Sequence, residues 1–305
     1  MLDQLRLVMP GINRSASALK VVSDYIALTK PPIVILLLIT AISGIFLAAR
    51  GGPSVSLILL VCAGGALGAG GANALNHFLD KDIDELMSRT KQRPVASDRI
   101  SPVKALAFGI LLNIFSFVIL AAWVNVFAAV LTLAATLFYV FVYTNWLKRT
   151  TTQNIVIGGA AGSIPPVVGW VAVTGSLDLP ALYLFAVVFF WTPPHFWALA
   201  MLIQKDYEAA KIPMLPVVAG REHTVQVIFM YSLVLVAISL VFATTSAVGL
   251  VYLGSAAVLG AIFVALAWNL KGDITTKRAR TLYLFSLLYL ALLFVAMIAD
   301  SKLYY

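Results

Sequence analysis

Apolar runs of roughly twenty residues recur along the chain, separated by short polar, glycine- or proline-containing breaks. Each run is long enough to cross the ~30 Å hydrocarbon core of a bilayer as a helix. None shows the alternation of a membrane β-strand. The pattern predicts nine spanning helices, over residues 33–49, 56–79, 103–123, 126–145, 155–174, 181–203, 224–244, 249–269 and 281–299. The expected fold class is all-α, a polytopic bundle of nine transmembrane helices over residues 31–305 behind a polar N-terminal segment, residues 1–30. No small-residue cleavage site follows a short apolar core, so no signal peptide is expected.

Composition agrees with the periodicity. Hydrophobic residues make up 61% of the chain and charged residues 11%, with a mean hydropathy of +0.97. The net charge of +8 has a marked distribution. Nineteen of the 21 lysines and arginines fall on alternate connections: the N-terminal segment and residues 80–104, 148–149, 205–221 and 271–280. Only Arg50 and Lys302 lie on the other side. This asymmetry predicts a cell (inner) membrane protein with its N-terminus and acidic loops in the cytoplasm and its C-terminus opposite. The basic balance is accounted for by orientation and attraction to anionic membrane lipid, so nucleic acid is not the expected partner. The lone Cys62 excludes an intramolecular disulfide and a cysteine metal cage.

Acidic residues are scarce, 13 in all, and four of them lie between Asp80 and Glu85. The surrounding stretch, Asn73 to Pro94, places Asn76, Asp80 and Asp84 at i, i+4 and i+8, one stripe of a helix. Charges between spans are ordinarily solvated loops. Two carboxylates and an amide in regular register, however, suit a hard cation such as Mg2+. Arg89 and Arg93, within ten residues, offer forked donors for phosphate oxygens. Acid for a metal beside base for a phosphate points to a metal-bound diphosphate.

A second polar loop, Lys205 to Met214, follows the sixth span. It contributes Asp206 as a candidate second metal ligand and Lys211 as a candidate phosphate contact. The two loops lie four helices apart, which hints at two four-helix halves sharing a mouth, with a ninth helix appended. Lys148, Arg149 and Asn154, on a short connection, add two cations and an amide. His195 lies inside the sixth span in Trp191-Thr192-Pro193-Pro194-His195-Phe196-Trp197, where an intramembrane imidazole marks a cavity or the bundle interior. The adjacent prolines are expected to loosen that helix. Tyr139 and Tyr143, at i, i+4, are aromatic faces available to a carbocation. The runs Gly64–Gly71 and Gly158–Gly162 sit in apolar spans and predict close helix approach rather than a nucleotide loop.

The stripe resembles the Asn-x-x-x-Asp-x-x-x-Asp motif of the UbiA-type intramembrane prenyltransferases. Within that family, the chain is similar to the branch of protoheme farnesyltransferases (heme O synthases). The similarity rests on Asp24-Tyr25-Ile26-Ala27-Leu28-Thr29-Lys30-Pro31, Asn76 through Asp84, and Met87-x-Arg89-Thr90-x-x-Arg93-Pro94. It continues in Leu147-Lys148-Arg149, Gln153 through Gly159, and Pro165-Pro166-x-x-Gly169-Trp170. The tryptophan–proline–histidine segment and Asp206-Tyr207 leading to Pro213-Met214-Leu215-Pro216 complete it. The resemblance implies Mg2+-dependent farnesyl transfer from farnesyl diphosphate to a vinyl group of heme b, with a heme A synthase acting downstream. It implies metal binding by Asn76, Asp80, Asp84 and Asp206, and diphosphate contacts from Lys30, Arg89, Arg93, Lys148, Arg149, Asn154, Tyr207 and Lys211. His195 becomes a candidate for contacting heme, as an iron ligand or in proton transfer. Two positions depart from the pattern: Pro32 stands where the family often has Arg, and Ala210 stands where its second motif often has Asp. A transferase acting on an aromatic quinone precursor is the alternative. A transporter would need ionisable groups deep in matched spans, whereas these acids crowd at one rim.

Overall fold

The computed structural model describes residues 10–50 and 52–303. The first nine positions of the N-terminal segment, Arg6 among them, and Gly51, between the first two spans, lie outside the described residues. The elements in order are α1 (Pro10–Thr29), α2 (Pro31–Ala48), α3 (Val55–Leu79), α4 (Lys81–Leu86), α5 (Pro102–Trp123) and α6 (Val126–Leu137). A π-helical stretch, Phe138–Leu147, carries α6 into α7 (Lys148–Thr150), and α8 (Asn154–Gly162) runs into α9 (Ile164–Thr174). There follow α10 (Leu179–Leu202), α11 (Gln204–Ala209), α12 (Leu215–Val218), α13 (Gly220–Phe242), α14 (Leu250–Gly272) and α15 (Thr276–Leu303).

Among the described residues no strand occurs, and nine helical segments are long and apolar enough to cross a membrane. The chain is therefore a multi-pass membrane protein with the expected spans, their ends shifted by a few residues. The main additions are α1, a 20-residue helix in the polar N-terminal segment, the short helices of the polar loops, α4, α11 and α12, and a last helix that starts at Thr276, five residues ahead of the expected position.

Local chemistry explains where the spans start and stop. Pro31 and Pro102 open α2 and α5, where a missing N–H costs nothing. Asn125 caps α6 by accepting from Ala128 N at 2.8 Å. Its amide also donates to Val171 O, tying α6 to α9. α9 ends at Gly175 in the left-handed conformation, φ +70°. α10 runs unbroken through Pro193 and Pro194. The expected loosening thus takes the form of lost backbone hydrogen bonds within a continuous helix.

The spans close on themselves. α2 packs against α3, α9 and α15, while α10 packs against α8, α9, α13 and α15. The α2–α9 crossing is the tightest: a Cβ on Gly44 would overlap Pro166 O, and one on Gly169 would overlap Ala41 O. At the far end, the buried Asp300 of α15 accepts from Gly249 N, Val251 N and Tyr252 N, at 2.7, 3.1 and 2.8 Å. A carboxylate from α15 thereby satisfies the otherwise orphaned amides that open the preceding helix, α14.

Because backbone meets backbone at the α2–α9 crossing, no side-chain rotation can make room there. Gly169→Ala is expected to cost about 1–3 kcal/mol and to lower the thermal midpoint in detergent, read by gel filtration after heating. Gly254→Ala, whose Cβ meets open space, should leave the midpoint unchanged or raised.

Candidate active site at the polar end of the bundle

α3 ends where the acidic stripe begins. Asp80 closes it with φ −94° and ψ 11°, outside the regular helical range. Two four-residue backbone bonds nevertheless cross the kink, Asp80 N to Asn76 O and Asp84 N to Asp80 O, at 2.9 and 2.8 Å. The helical register of Asn76, Asp80 and Asp84 therefore survives the bend, and all three side chains are at least 97% buried.

Carboxylates buried in an apolar bundle must be matched by cations and donors. Lys148 Nζ lies 2.6 Å from Asp80 Oδ2, and Arg93 binds both oxygens of Asp84 at 2.8 and 2.9 Å. Lys30 donates to Asn76 Oδ1 at 2.7 Å, and Asn76 Nδ2 donates to Asp80 Oδ2 at 2.6 Å. Arg149 holds Asp82 through two bonds and caps α3 by donating to Leu79 O. Those bonds to Arg149 hold the Asp82 carboxyl below its ordinary range, against a smaller opposing effect of burial. Asp80, Asp82 and Asp84 thus stand among Lys30, Arg93, Lys148, Arg149 and the nearby Arg89. The surplus is positive, which suits an anion.

Lys30 is held unusually. It adopts a left-handed backbone, φ 53°, immediately before Pro31, a conformation that costs a non-glycine residue energy. That turn carries the chain from α1 into the first span and delivers the ammonium to Asn76. Burial, with the neighbouring Arg93 and Lys148 charges added, lowers its pKa from the ordinary lysine value to about 7.

The second loop meets the first. Asp206 Oδ1 accepts from Ser88 Oγ at 2.7 Å and from Ser88 N at 3.3 Å. Arg89, the next residue, reaches the Tyr207 hydroxyl at 3.4 Å and lies over its ring. The Tyr207 hydroxyl is buried, and burial raises its pKa. Asp206 therefore latches the two loops together through Ser88. Lys211 lies exposed at a left-handed turn, φ 53°. Asn154 is fully buried and donates to Thr151 O, and its Oδ1 has no hydrogen-bond partner.

Sequence spacing does not reveal Thr144, which is buried and accepts from Asn76 Nδ2 at 3.2 Å. It lies in the π-helical stretch, whose wider turns also bring Lys148 to Asp80 and stack Tyr139 on Tyr143 at 5.4 Å. Deeper in the bundle His195 is buried, its Nδ1 2.7 Å from Ser286 Oγ. Its ring is stacked between Trp191 and Tyr283. About two turns of helix, ~10 Å, separate it from the polar end of α10.

The residues fit a divalent cation. Asp80 Oδ1 is buried with no hydrogen-bond donor, Arg149 coming no closer than 3.7 Å. Its lone pairs are therefore open to a hard cation. Among the described residues no three His, Cys, Asp or Glu side chains are grouped for a metal. The groups that offer oxygens to it at the end of α3 are Asp80 and Asp84 with the Asn76 amide, while Asp206 is engaged by Ser88 on the facing loop.

Residues 37–298 match the profile of the UbiA prenyltransferase family. The chain belongs to the UbiA prenyltransferase family. A protein of Gloeobacter violaceus named protoheme IX farnesyltransferase is 51% identical over 292 residues, 95% of each chain. One of the same name from Roseiflexus sp. (strain RS-1) is 53% identical over 91% of this chain, which spans about half, 52%, of that relative's length. Among solved UbiA-fold structures, a digeranylgeranylglyceryl phosphate synthase superposes with a TM-score of 0.77 at 18% identity, covering 92% of this chain and 98% of that one. A UbiA homolog from Archaeoglobus fulgidus bound to GPP and Mg2+ gives 0.59 at 16% identity, covering 90% and 99%. These likenesses establish the UbiA fold across nearly the whole chain.

Removing one partner of the buried Lys148–Asp80 pair leaves a stranded charge. Lys148→Met is expected to destabilise the protein by about 3–5 kcal/mol, read as a fall in thermal midpoint. Adding Asp80→Asn should restore part of that loss.

Proposed function

We propose that the protein transfers a farnesyl group from farnesyl diphosphate to a vinyl group of heme b, releasing diphosphate and forming heme O. The observation that carries this reading is the coexistence in one bundle of a cation-rich acidic cluster at the polar rim and His195 boxed by aromatic rings below it. The family and the protoheme farnesyltransferase relatives support it. The basic residue distribution supports an inner-membrane location with the polar end in the cytoplasm. In this reading a heme A synthase is the downstream partner.

The diphosphate is assigned to Lys30, Arg89, Arg93, Lys148 and Arg149, with Lys211, Asn154 and Tyr207 at the edge of the mouth. Asn76, Asp80 and Asp84 would hold Mg2+, which when bound neutralises diphosphate charge and assists its departure. Arg93 and Lys148, now engaged by Asp84 and Asp80, can turn to phosphate oxygens as negative charge develops there. The farnesyl C1–oxygen bond breaks with its electron pair leaving on diphosphate, and the vinyl carbon supplies the pair for the new C–C bond. Water captures the resulting cation and loses a proton, giving the hydroxyethylfarnesyl side chain. A charged head at the rim avoids the ~2.5–3.5 kcal/mol cost of a mid-bilayer charge. The tail, at ~0.8 kcal/mol per buried CH2, belongs among the spans.

Mass analysis of heme extracted after incubating the purified protein with heme b, farnesyl diphosphate and Mg2+ tests the assignment. Added mass corresponding to farnesyl plus hydroxyl is expected, and it should vanish when Asn76, Asp80 and Asp84 are all alanine. Full conversion by that triple variant would refute the reading. Lys30 supplies a second test. At pH 8 it is mostly neutral, and an arriving diphosphate raises its pKa, so binding takes up a proton. At pH 6 it is already charged and uptake should disappear. Calorimetry of a non-reactive farnesyl diphosphate analogue in buffers of different ionisation enthalpy reads this directly, and Lys30→Met should abolish the pH 8 uptake.

A further inference from the structure

Ser286 of α15 stands between two partners. Its Oγ lies 2.7 Å from His195 Nδ1 and 2.6 Å from the carbonyl oxygen of Tyr283, three residues back on its own helix. A hydroxyl has one proton to give. The Tyr283 carbonyl has none, and two oxygens 2.6 Å apart repel unless a proton lies between them. The Ser286 proton is therefore spent on Tyr283. Its oxygen can only accept from the histidine, so Nδ1 carries the imidazole hydrogen and Nε2 the basic lone pair.

The ring's plane is fixed as firmly as its tautomer. Trp191 stacks on one side of His195 at 4.3 Å and 17°, and Tyr283 stacks at 4.9 Å and 28°. Phe196 meets its edge at 5.3 Å. Trp191 Nε1 donates to the Ser286 carbonyl at 2.7 Å, so the same residue that sets the tautomer also anchors the flanking indole. Among the described residues no protein group bonds Nε2.

We infer that Ser286 is a positioning residue that holds His195 as the Nδ1–H tautomer, with Nε2 presented as the ligand to the iron of a bound metalloporphyrin. This rests on the reading of heme as substrate. A hydrogen bond to the distal ring nitrogen fixes the orientation of a metal-ligating histidine and raises its basicity. A neutral serine does so less strongly than a carboxylate. That suits an iron that must be released with the product.

The test uses the purified full-length protein with ferrous heme b. Resonance Raman should show an iron–histidine stretch that disappears in His195→Ala. In Ser286→Ala the band should persist at lower frequency, with heme affinity reduced about 10–100-fold, and Ser286→Thr should restore both. A band that survives His195→Ala would overturn the ligation itself. A band that needs His195 but is unmoved, with affinity unmoved, in Ser286→Ala would overturn the role of Ser286 alone. A measurement on the unsubstituted protein guards against a variant that fails to fold. With three histidines in the chain, 15N-histidine NMR without heme should show His195 protonated at Nδ1. Protonation at Nε2 instead would refute the inference.

Discussion

Two carboxylates sealed into the end of an apolar bundle have to be neutralised from somewhere, and that requirement shapes this molecule. Asp80 and Asp84 draw in cations from separate parts of the chain: Lys148 and Arg149 from the end of the fourth span and Arg93 from the loop. Lys30, from the link before the first span, reaches the same network through Asn76. The left-handed turn at Lys30 and the π-helical stretch before Lys148 are both irregularities that place a side chain where the regular helix would not. A ligand carrying both signs, as the proposed metal diphosphate would, offers each side of these pairings a replacement partner.

Beneath that rim the bundle changes character. α10 passes from its polar end to a zone of tryptophan, proline and phenylalanine around His195, and α15 supplies Ser286 and Tyr283 from the facing side. The close α2–α9 crossing joins those helices in the half of the spans remote from the acidic cluster. In the proposed reading a polar head and a greasy tail would meet matching surroundings along one axis, with the aromatic rings around His195 lying below the charges.

Much of this could be read from residue order. The spans follow from run length, and the acidic stripe follows from four-residue spacing that persists even across the kink at Asp80. Lys148 and Arg93 were recognisable as cations for an anion, but their present partners, Asp80 and Asp84, were not. Electroneutrality in the buried state decides those partners, and linear spacing carries no such information. Asp206 shows the same limit: its bond to Ser88, which latches the two loops, follows from tertiary packing and not from spacing. Thr144 and Ser286 were illegible for a simpler reason. Hydroxyls are common in membrane helices, and only a π turn in one case and a helix–helix contact in the other gives them a task. Gly169 and Pro166, which carry part of the family resemblance, turn out to serve the α2–α9 crossing.

The three amides gathered by Asp300 bear on how the chain is made. α14 is synthesised before α15, so its first turn enters the membrane with donors that nothing in its own segment can satisfy. The acid that quiets them sits near the close of the following helix. α14 and α15 therefore gain from integrating as a hairpin, and the arrival of α15, rather than the emergence of α14, becomes the moment at which that edge of the bundle settles.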